Sequence, residues 1–549
     1  AAERVYAPWL DMEEEMRRRG IPLFSLETFR EVSSFDILGF SLQYELLITN
    51  TLNMLDLAGL PLHAAERTDE QPFVIGGPCV YNTEPIADFF DFFVLGDGEE
   101  IVVEVCDALI AWKKEGRPDG RRGFLRRAAG IPGVYVPSFY APEYDAQGMF
   151  TGLRILDEAA SPQIYRRVVK DLDAAPFLEK PVVPYLGIVH DRLMLELFRG
   201  CTRGCRFCQA GMAYRPVRER RPETLESLAR TLFDSTGYNE MSLTSLSSAD
   251  YSCLSPLVDG LLAGTQGERV SFSLPSLRID SFSVDIAERL QQVRKSGLTF
   301  APEAGTQRLR DVINKNVTED DLLHSVRTAF EQGWKAVKLY FMMGLPTEMD
   351  EDIVGIAELA QKVVDCYKEV KGKRGVKVTV SVSCFVPKAY TPFQWFAQVP
   401  QEEFERRQRL LKESIRDRAI SFHYHDARAS VLEGALSRGD RRLSAVIETA
   451  WRNGAKFDGW TDQFKDEVWK DAFCRCGVAP EFYSRRTRDP EEVLPWAHTS
   501  PGVSEDFLRR EWQRAQEAAL THDCRRETCT GCGVCPKLGC EIVDWRGEA

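Results

Sequence analysis

The chain has 549 residues, a formal net charge of −13 at pH 7 and a hydrophobic fraction of 44%. This length is too great for one core, so we expect about two to four globular domains. No apolar run is long enough for a spanning helix, and the acidic balance argues against a general nucleic-acid or acidic-membrane surface.

Cysteine usage predicts the compartment. The 15 Cys are odd in number and clustered, a pattern typical of thiolates that bind metal rather than of a disulfide framework. The start, Ala1-Ala2-Glu3-Arg4, shows no signal-peptide pattern. We therefore expect a reducing, cytoplasmic location.

Residues 1–115 alternate apolar strands with helices. Strands are predicted at 35–41 and 72–78, and a third lies in the stretch 91–100, which runs into a helix; another helix, at 43–59, follows the first strand. This is a Rossmann-like, doubly wound α/β pattern, in which ligands bind beyond the carboxyl ends of the strands. Small residues let a large ligand approach the backbone there. The glycines at these ends are Gly76, Gly77, Gly96 and Gly98.

Residues 116–185 are predicted to form a connector. Apolar segments at 133–137 and 150–154 flank the turn-rich stretch 145–148, which indicates a hairpin. Three prolines between 176 and 184 then predict an extended passage.

Residues 186–400 show six strand–helix alternations. Such repeated units favour a parallel sheet or barrel, and six are fewer than the eight that close a barrel. The strands are predicted near 193–198, 240–245, 269–275, 297–301, 335–343 and 376–386.

A C-x3-C-x2-C loop, Cys201, Cys205 and Cys208, follows the first of these strands. Three thiolates on a short turn can hold three irons of a [4Fe–4S] cluster and leave the fourth iron open for a substrate or cofactor. Zinc is the alternative, but it requires a fourth ligand nearby. The nearest histidine, His190, precedes the strand, so we favour the cluster.

Four arginines directly follow the cysteine loop: Arg215, Arg218, Arg220 and Arg221. They suit the phosphates of a nucleic-acid or other anionic substrate beside the cluster. A solvated run of surface charge is an equally good interpretation.

Residues 401–520 are predicted to be a mainly helical accessory domain, and residues 521–549 a Cys-rich metal-binding tail. Its C-x2-C-x2-C-Pro run resembles a ferredoxin-type loop and favours an auxiliary [4Fe–4S] cluster, with a zinc site as the alternative. Any four of five thiolates suffice: Cys524, Cys529, Cys532, Cys535 and Cys540.

The cysteine loop after a strand, with Phe207 before its last Cys, resembles the motif of the radical S-adenosylmethionine (SAM) superfamily. The resemblance implies an open (β/α)6 partial barrel and a [4Fe–4S] cluster on the three cysteines. It implies that the open iron chelates SAM. Electron transfer from the cluster then cleaves SAM to methionine and a 5′-deoxyadenosyl radical.

Further matches to this superfamily lie at strand ends. Residues 302–308 with 313–315 resemble its EAGxxR…NK passage, and residues 340–348 resemble the strand that ends in GLPxE. A salt bridge to Arg308 or Arg310 is the alternative for Glu303, and a plain surface position is the alternative for Arg278. The SAM contacts implied by these matches are Phe207, Ser245, Ser247, Arg278, Glu303 and Gly344.

The N-terminal strand–Gly-Gly-Pro and Gly-Asp-Gly-Glu segments resemble the cobalamin-binding domain ahead of many radical SAM barrels. This implies cobalamin over the turns at Gly76, Gly77, Gly96 and Gly98. The Asp-x-His-x-x-Gly motif, whose His ligates cobalt in such domains, is absent, and the first 62 residues contain no His. Cobalamin without a protein His and a scaffold without cobalamin are the two alternatives.

Three functions compete at this point. The lead hypothesis is a radical SAM enzyme that modifies a macromolecule, RNA or protein, by methyl or methylthio transfer with cobalamin. The second is radical rearrangement or hydrogen abstraction on a small molecule. The third is a non-catalytic iron–sulfur factor that associates with RNA or the ribosome. An enzyme would need an electron donor such as a flavodoxin or ferredoxin; we expect no membrane partner and assign no catalytic residue.

Overall fold

The computed structural model describes residues 2–78, 82–267, 270–274, 298–372 and 375–546, together with Ile279, Ile286 and Arg289. It confirms the predicted α/β architecture, with parallel sheets in the N-terminal and central regions and a mainly helical region near the C-terminus. None of the helices within these ranges is long and apolar enough to cross a membrane.

The N-terminal sheet contains four strands in chain order. They are β1 (Ile37–Leu42), β2 (Phe73–Pro78), β3 (Phe92–Val94) and β4 (Val134–Tyr135). The first three are parallel, and β4 pairs antiparallel with β3. The helices of this region are α1 (Leu10–Arg19), α2 (Ile48–Leu57), α3 (Gly98–Lys114) and α4 (Gly120–Ala129). Because β4 is buried against β3, this sheet extends beyond residue 115, where we placed the domain boundary.

The connector contains the predicted hairpin, with one arm in a different place. Strands β5 (Tyr140–Tyr144) and β6 (Phe150–Ile155) pair antiparallel. We expected the first arm at 133–137, which is wrong because residues 134–135 belong to the N-terminal sheet. A short strand, β7 (Ile164–Tyr165), follows the hairpin.

All six predicted central strands are present, in two parallel sheets ordered β12-β11-β8 and β13-β14-β15-β16. A seventh strand, β16, extends the second sheet into the region predicted to be mainly helical, because Ile420 and Phe422 pack on the barrel core. The strands are β8 (Leu193–Glu196), β9 (Phe198–Arg199), β10 (Arg218–Glu219), β11 (Glu240–Thr244), β12 (Ser271–Ser273), β13 (Leu298–Glu303), β14 (Ala336–Met343), β15 (Lys377–Cys384) and β16 (Ile420–Tyr424).

Six described helices accompany the central strands. They are α5 (Gln209–Ala213), α6 (Pro222–Thr236), α7 (Leu254–Gly264), α8 (Gln307–Val312), α9 (Glu319–Glu331) and α10 (Asp350–Lys371). Helix α9 begins with a capping box between Thr318 and Asp321, which satisfies backbone N–H groups of its first turn.

The C-terminal helices bridge the two sheet-containing regions. They are α11 (Gln401–Ser414), α12 (Ala427–Ser437), α13 (Leu443–Arg452), α14 (Asp466–Arg475), α15 (Pro480–Ser484), α16 (Glu505–Gln516) and α17 (Val534–Leu538), and a short strand β17 (Thr499–Ser500) pairs with β7. Val446 and Trp469 share one core with Leu52 and Phe89 of the N-terminal region. The N-terminal sheet is therefore held over the barrel by helices from the end of the chain.

Candidate active site

The three cysteines of the C-x3-C-x2-C motif lie on the loop between β9 and α5. Gly200 opens this loop at φ +90°, and a side chain there would overlap the carbonyl group of Pro216. Glycine thus permits the close approach of the loop to the segment leading into β10. Cys205 is buried, while Cys201 and Cys208 are partly buried.

The sulfur of Cys208 caps helix α5 by accepting a hydrogen bond from the N–H of Gly211 at 3.2 Å. Burial, with smaller contributions from Cys205 and Cys201, raises the pKa of Cys208 to about 12. This thiol therefore stays neutral unless a metal supplies positive charge.

These three cysteines fit a [4Fe–4S] cluster, in which each thiolate binds a different iron. Within the described ranges, no group of three or more His, Cys, Asp or Glu side chains is arranged to hold a single metal ion.

The loop is fixed by polar contacts to the segments that follow β11 and α8. Arg203 pairs with Asp250, with Nε 2.9 Å from Oδ2, and Ser247 donates its hydroxyl to the same carboxylate. From the other side, the buried Asn314 donates to the carbonyl oxygen of Gly204 at 3.1 Å. The described structure therefore gives Ser247 a role in holding the loop that carries the cysteines.

Ser245 and Glu303 lie beside this loop and already have protein partners. Ser245 donates its hydroxyl to Ser248 at 3.1 Å. Glu303, at φ +69° where β13 ends, accepts from Nζ of Lys315 at 3.1 Å. The alternative salt bridge to Arg308 or Arg310 is thus replaced by one to Lys315, whose charge acts on the Cys208 thiol.

Gly344 follows β14 and is explained by packing. Its φ is +85°, and a side chain there would lie 2.5 Å from the ring of Phe404. Its N–H donates to Glu348 at 2.6 Å, and Glu348 pairs with Arg407. Burial raises the pKa of Glu348 to about 7, against the opposing effect of Arg407. The remaining predicted SAM contact, Arg278, lies outside the described residues.

A cavity of about 1040 Å³ opens at the carboxyl ends of β14, β15 and β16. Phe207 of the cysteine motif and Met342 of β14 line it from the barrel side. Tyr44 and Leu46, which follow β1, line it from the N-terminal region. The cavity therefore connects the cysteine motif with the N-terminal sheet.

The cavity wall carries a cluster of charged groups from three regions. Nζ of Lys388 lies 2.7 Å from oxygens of both Glu45 and Glu433, and Tyr44 donates its hydroxyl to Glu433 at 2.9 Å. Burial raises the pKa of Glu45, while Lys388 lowers it. One ammonium thus faces two carboxylates, which favours retention of a proton by the cluster.

The cavity rim also carries cations. Arg409 and Lys412 lie three residues apart on α11 and are exposed. No carboxylate of the described ranges forms an ion pair with either side chain. The side chain of His425, after β16, is exposed on the same rim. These three groups are available to an anionic ligand.

Comparison with known sequences agrees with this geometry. Residues 195–360 match the model of the radical SAM superfamily. The chain belongs to the radical SAM superfamily. Residues 1–137 match the model of the N-terminal part of radical SAM proteins. A [4Fe–4S] cluster and SAM are therefore the cofactors that membership of this superfamily implies.

The chain is similar to several known proteins. An uncharacterized protein of Methanocaldococcus jannaschii is 28% identical over 473 residues, which cover 83% of this chain and 91% of that protein. The cobalamin- and [4Fe–4S]-bound radical SAM methyltransferase TsrM of Kitasatospora setae aligns at 17% identity and TM-score 0.41, over 64% of each chain. The cobalamin-dependent radical SAM enzyme OxsB aligns at 13% identity and TM-score 0.44, over 88% of this chain and 71% of its own. The chain thus spans less than two thirds of TsrM.

Protein atoms occupy the space beside two of the four glycines predicted to bind cobalamin. A side chain at Gly76 would lie 2.5 Å from the ring of Phe93, and one at Gly96 would overlap the backbone of Arg167. Gly98 begins α3, directly after Asp97. Protein atoms thus fill the space beside Gly76 and Gly96, and cobalamin over these turns stays a prediction. Gly77 has no such neighbour and is exposed.

The arginine run beside the radical SAM motif is mostly buried. Arg218 pairs with Asp97 at 2.5 Å, and Arg220 donates to a connector carbonyl. Arg215 is buried beside the cysteines, whereas Arg221 is exposed and lies 4.0 Å from the centre of the Trp545 ring. A phosphate-binding role is therefore wrong for Arg215, Arg218 and Arg220, because solvent does not reach these side chains.

Two tail cysteines, Cys524 and Cys532, share a buried charged neighbour, Arg215, with the radical SAM cysteine Cys201. Burial raises the pKa of Cys524 to about 11; Arg215 lowers it, and Cys532 and Cys529 raise it. Burial also raises the pKa of Cys535, with further contributions from Cys532 and Cys529. These four sulfurs therefore form one electrostatically coupled group.

Cys540 interacts with Cys535 but lies among other charges. Apart from burial, its pKa responds to Arg218, Arg166 and Lys170. The N–H of Cys540 donates to the carbonyl of Cys535 at 3.2 Å, and its thiol donates to the carbonyl of Glu541 at 3.7 Å.

Two buried residues of the radical SAM site, Arg206 and Asn314, are not among the site residues predicted from the sequence. Arg206 donates to the carbonyls of Val312 and Ala519 and pairs with Glu511 at 3.0 Å. Asn314 donates to the loop and to the tail. The matched EAGxxR…NK passage contains Asn314, so the motif was the available signal. Arg206 carries no such signal in the sequence, because its partners lie far along the chain.

Proposed function

We propose that this radical SAM enzyme modifies a macromolecule bound at the 1040 Å³ cavity, with RNA favoured over protein, by cobalamin-assisted methyl or methylthio transfer. The observation that carries the proposal is Phe207: it belongs to the cysteine motif and lines the cavity. A substrate in that cavity would lie beside the place where SAM binds.

The residues around the cysteine loop would have different roles in binding the cluster and SAM. Cys201, Cys205 and Cys208 would each hold one iron, and the open iron would bind SAM. When bound, the cluster supplies the electron that cleaves SAM. Arg203 and Asn314 hold the loop, and Glu303, neutralised by Lys315, presents a carboxylate at the strand end where the family places the SAM ribose.

The cavity rim supports RNA as the substrate class. Arg409 and Lys412 are exposed and unpaired within the described ranges, and such cations bind phosphates. The cavity volume lies at the upper end of the range for small-molecule pockets. A nucleotide turned out of an RNA chain would suit both features, as enzymes that modify bases take them out of the stack.

Cobalamin, if used, would enter the same cavity from the N-terminal side. Tyr44 and Leu46 follow β1 and line the cavity, and Gly77 is free at the end of β2. Ligands of open α/β sheets bind beyond such carboxyl ends. The cavity wall formed by Tyr44 and Leu46 is therefore the surface open to cobalamin. At Gly76 and Gly96, by contrast, protein atoms fill the space.

A second candidate is a radical reaction on a small molecule with a scaffold-only N-terminal domain. The packed surroundings of Gly76 and Gly96 favour it. The ultraviolet–visible spectrum of protein expressed with ample cobalamin separates the two candidates. Bound cobalamin supports transfer chemistry, and its absence supports the second candidate.

The decisive experiment is SAM turnover by the anaerobically reconstituted, reduced protein. Replacement of Cys201, Cys205 and Cys208 by Ala should remove about four irons and abolish 5′-deoxyadenosine formation. Cys474→Ser, at an exposed thiol of α14, is the matched control and should leave turnover unchanged. Turnover by the triple variant would refute the assignment. No turnover by either protein would favour a non-catalytic iron–sulfur factor.

A further inference from the structure

The Cys-rich tail has no part in the proposed function, yet its first residues run along the cysteine loop. Arg206 donates to the carbonyl of Ala519 at 2.6 Å. Asn314 donates to the carbonyls of Gly204 and Thr521, both at 3.1 Å. Cys524 follows Thr521 after two residues. The start of the tail is thus fixed beside the SAM-binding site.

One buried side chain, Arg215, joins the two groups of cysteines. Cys532 packs in one buried cluster with Met212 and Ala213, which directly precede this part of the chain, and the Arg215 charge acts on Cys532, Cys524 and Cys201. The Nε of Arg215 donates to the carbonyl of Gly211 at 3.0 Å, and the N–H of Gly211 donates to the sulfur of Cys208 at 3.2 Å. A short path, hydrogen-bonded from Arg215 through Gly211 to Cys208, therefore begins beside Cys532.

We propose that Cys524, Cys529, Cys532 and Cys535 bind a second [4Fe–4S] cluster that passes electrons to the SAM-binding cluster along the path Cys532–Arg215–Gly211–Cys208. The proposal rests on the proposed radical SAM activity. Four thiolates leave no open iron, so this site does not chelate SAM. Cys540 is left out of this set because its thiol donates to the carbonyl oxygen of Glu541 at 3.7 Å.

The exposure of the cysteines indicates where an electron would enter. Cys529 is exposed and Cys205 is buried, so a protein donor reaches the tail more readily than the loop. A low-potential one-electron donor, reduced flavodoxin or ferredoxin, would deliver one electron at Cys529. That electron would pass to the SAM-binding site and enter the C5′–S bond of SAM. The bond would break to give methionine and one 5′-deoxyadenosyl radical, and the donor would be left oxidised by one electron.

Metal analysis and magnetic resonance of the unmodified protein provide the first test. About eight irons per chain are expected, against about four irons and one zinc for a zinc tail. Because the path is short, the fully reduced protein should show spin coupling between two paramagnetic clusters. Eight irons with two uncoupled signals would overturn the path, and zinc would overturn the cluster. Metal content and spin coupling can both be measured even if SAM is not cleaved. Failure of the proposed function can therefore be distinguished from failure of the second-cluster proposal.

Variants provide the second test. Cys529→Ala with Cys535→Ala should lose about four irons and slow flavodoxin-driven SAM cleavage at least tenfold, while cleavage driven by dithionite persists. Cys540→Ser should keep about eight irons. Arg215→Gln should also keep both clusters, abolish their spin coupling or weaken it, and slow the flavodoxin-driven rate. Equal flavodoxin-driven rates in all variants would show that the tail does not relay electrons.

Discussion

The ammonium group of Lys388 lies 2.7 Å from a carboxylate oxygen of Glu45, and this ion pair joins the barrel to the N-terminal region. Glu433 of α12 completes the cluster at the same distance. Three regions far apart in the chain thus meet in one group of charges on the cavity wall, so the shape of the cavity depends on their contact.

Removal of the Lys388 charge should destabilise the fold. Lys388→Met leaves two largely buried carboxylates facing each other, and loss of one partner from a buried pair costs roughly 3–5 kcal/mol. Urea unfolding measures this. Lys470→Met is the control, because that side chain is 58% exposed where it pairs with Asp466, and such surface pairs are worth at most about 1 kcal/mol. Equal losses in both variants would show that the cluster is not special.

Stability should depend on pH through Glu348. Burial raises the pKa of Glu348 from 4.5 to about 7, so the folded protein holds this proton more tightly than the unfolded chain does. The stabilisation is fully present below pH 4.5 and is lost as pH rises through 7, by up to about 3 kcal/mol. Unfolding at several pH values, compared with Glu348→Gln, should show a flatter dependence in the variant. An unchanged slope would contradict the assignment.

The glycines of the N-terminal sheet should differ sharply in tolerance. Gly96→Ala places a methyl group on the Arg167 backbone at φ +105°, and we expect a loss of about 2 kcal/mol or more. Gly77→Ala meets no atom closer than 3.8 Å, and we expect a change below about 1 kcal/mol. Thermal unfolding of the two variants decides this. A tolerated Gly96→Ala would favour that turn as a cofactor site.

The rim cations should govern substrate binding. Reversal of charge in Arg409→Glu with Lys412→Glu should weaken RNA binding at least tenfold and flatten its salt dependence, because each lost phosphate contact lowers the slope by about one. SAM cleavage without substrate should be unaffected. Arg428→Glu, an exposed arginine that already pairs with Asp426, is the control. Unchanged RNA binding in the double variant would favour a protein or a small molecule.

Local sequence patterns predicted most of the fold. The six central strands and the cysteine loop depend on short apolar runs and on spacing, both of which are visible along the chain. Strand β16 was missed because it follows a long charged helix, and its place is set by pairing with Val378 and Val380 of β15.

The burial of the arginine run had no local signal. Arg218 reaches Asp97, 121 residues earlier, and the tail covers the same segment. The packing of Gly96 has no local signal either, because the residue that fills the space beside it, Arg167, belongs to the connector. The sequence thus identified the cysteines of the site, while long-range contacts decided what their neighbours do.

The last described residues close over the segment that follows the cysteine loop. The N–H of Val543 donates to the carbonyl of Val217 at 2.9 Å, and the Trp545 N–H donates to Ser252 at 3.0 Å. A ribosome adds roughly 5–20 residues per second, so tens of seconds separate the synthesis of Cys208 from that of Trp545. During that interval the segment that follows the cysteine loop lacks the contacts that Val543 and Trp545 later provide.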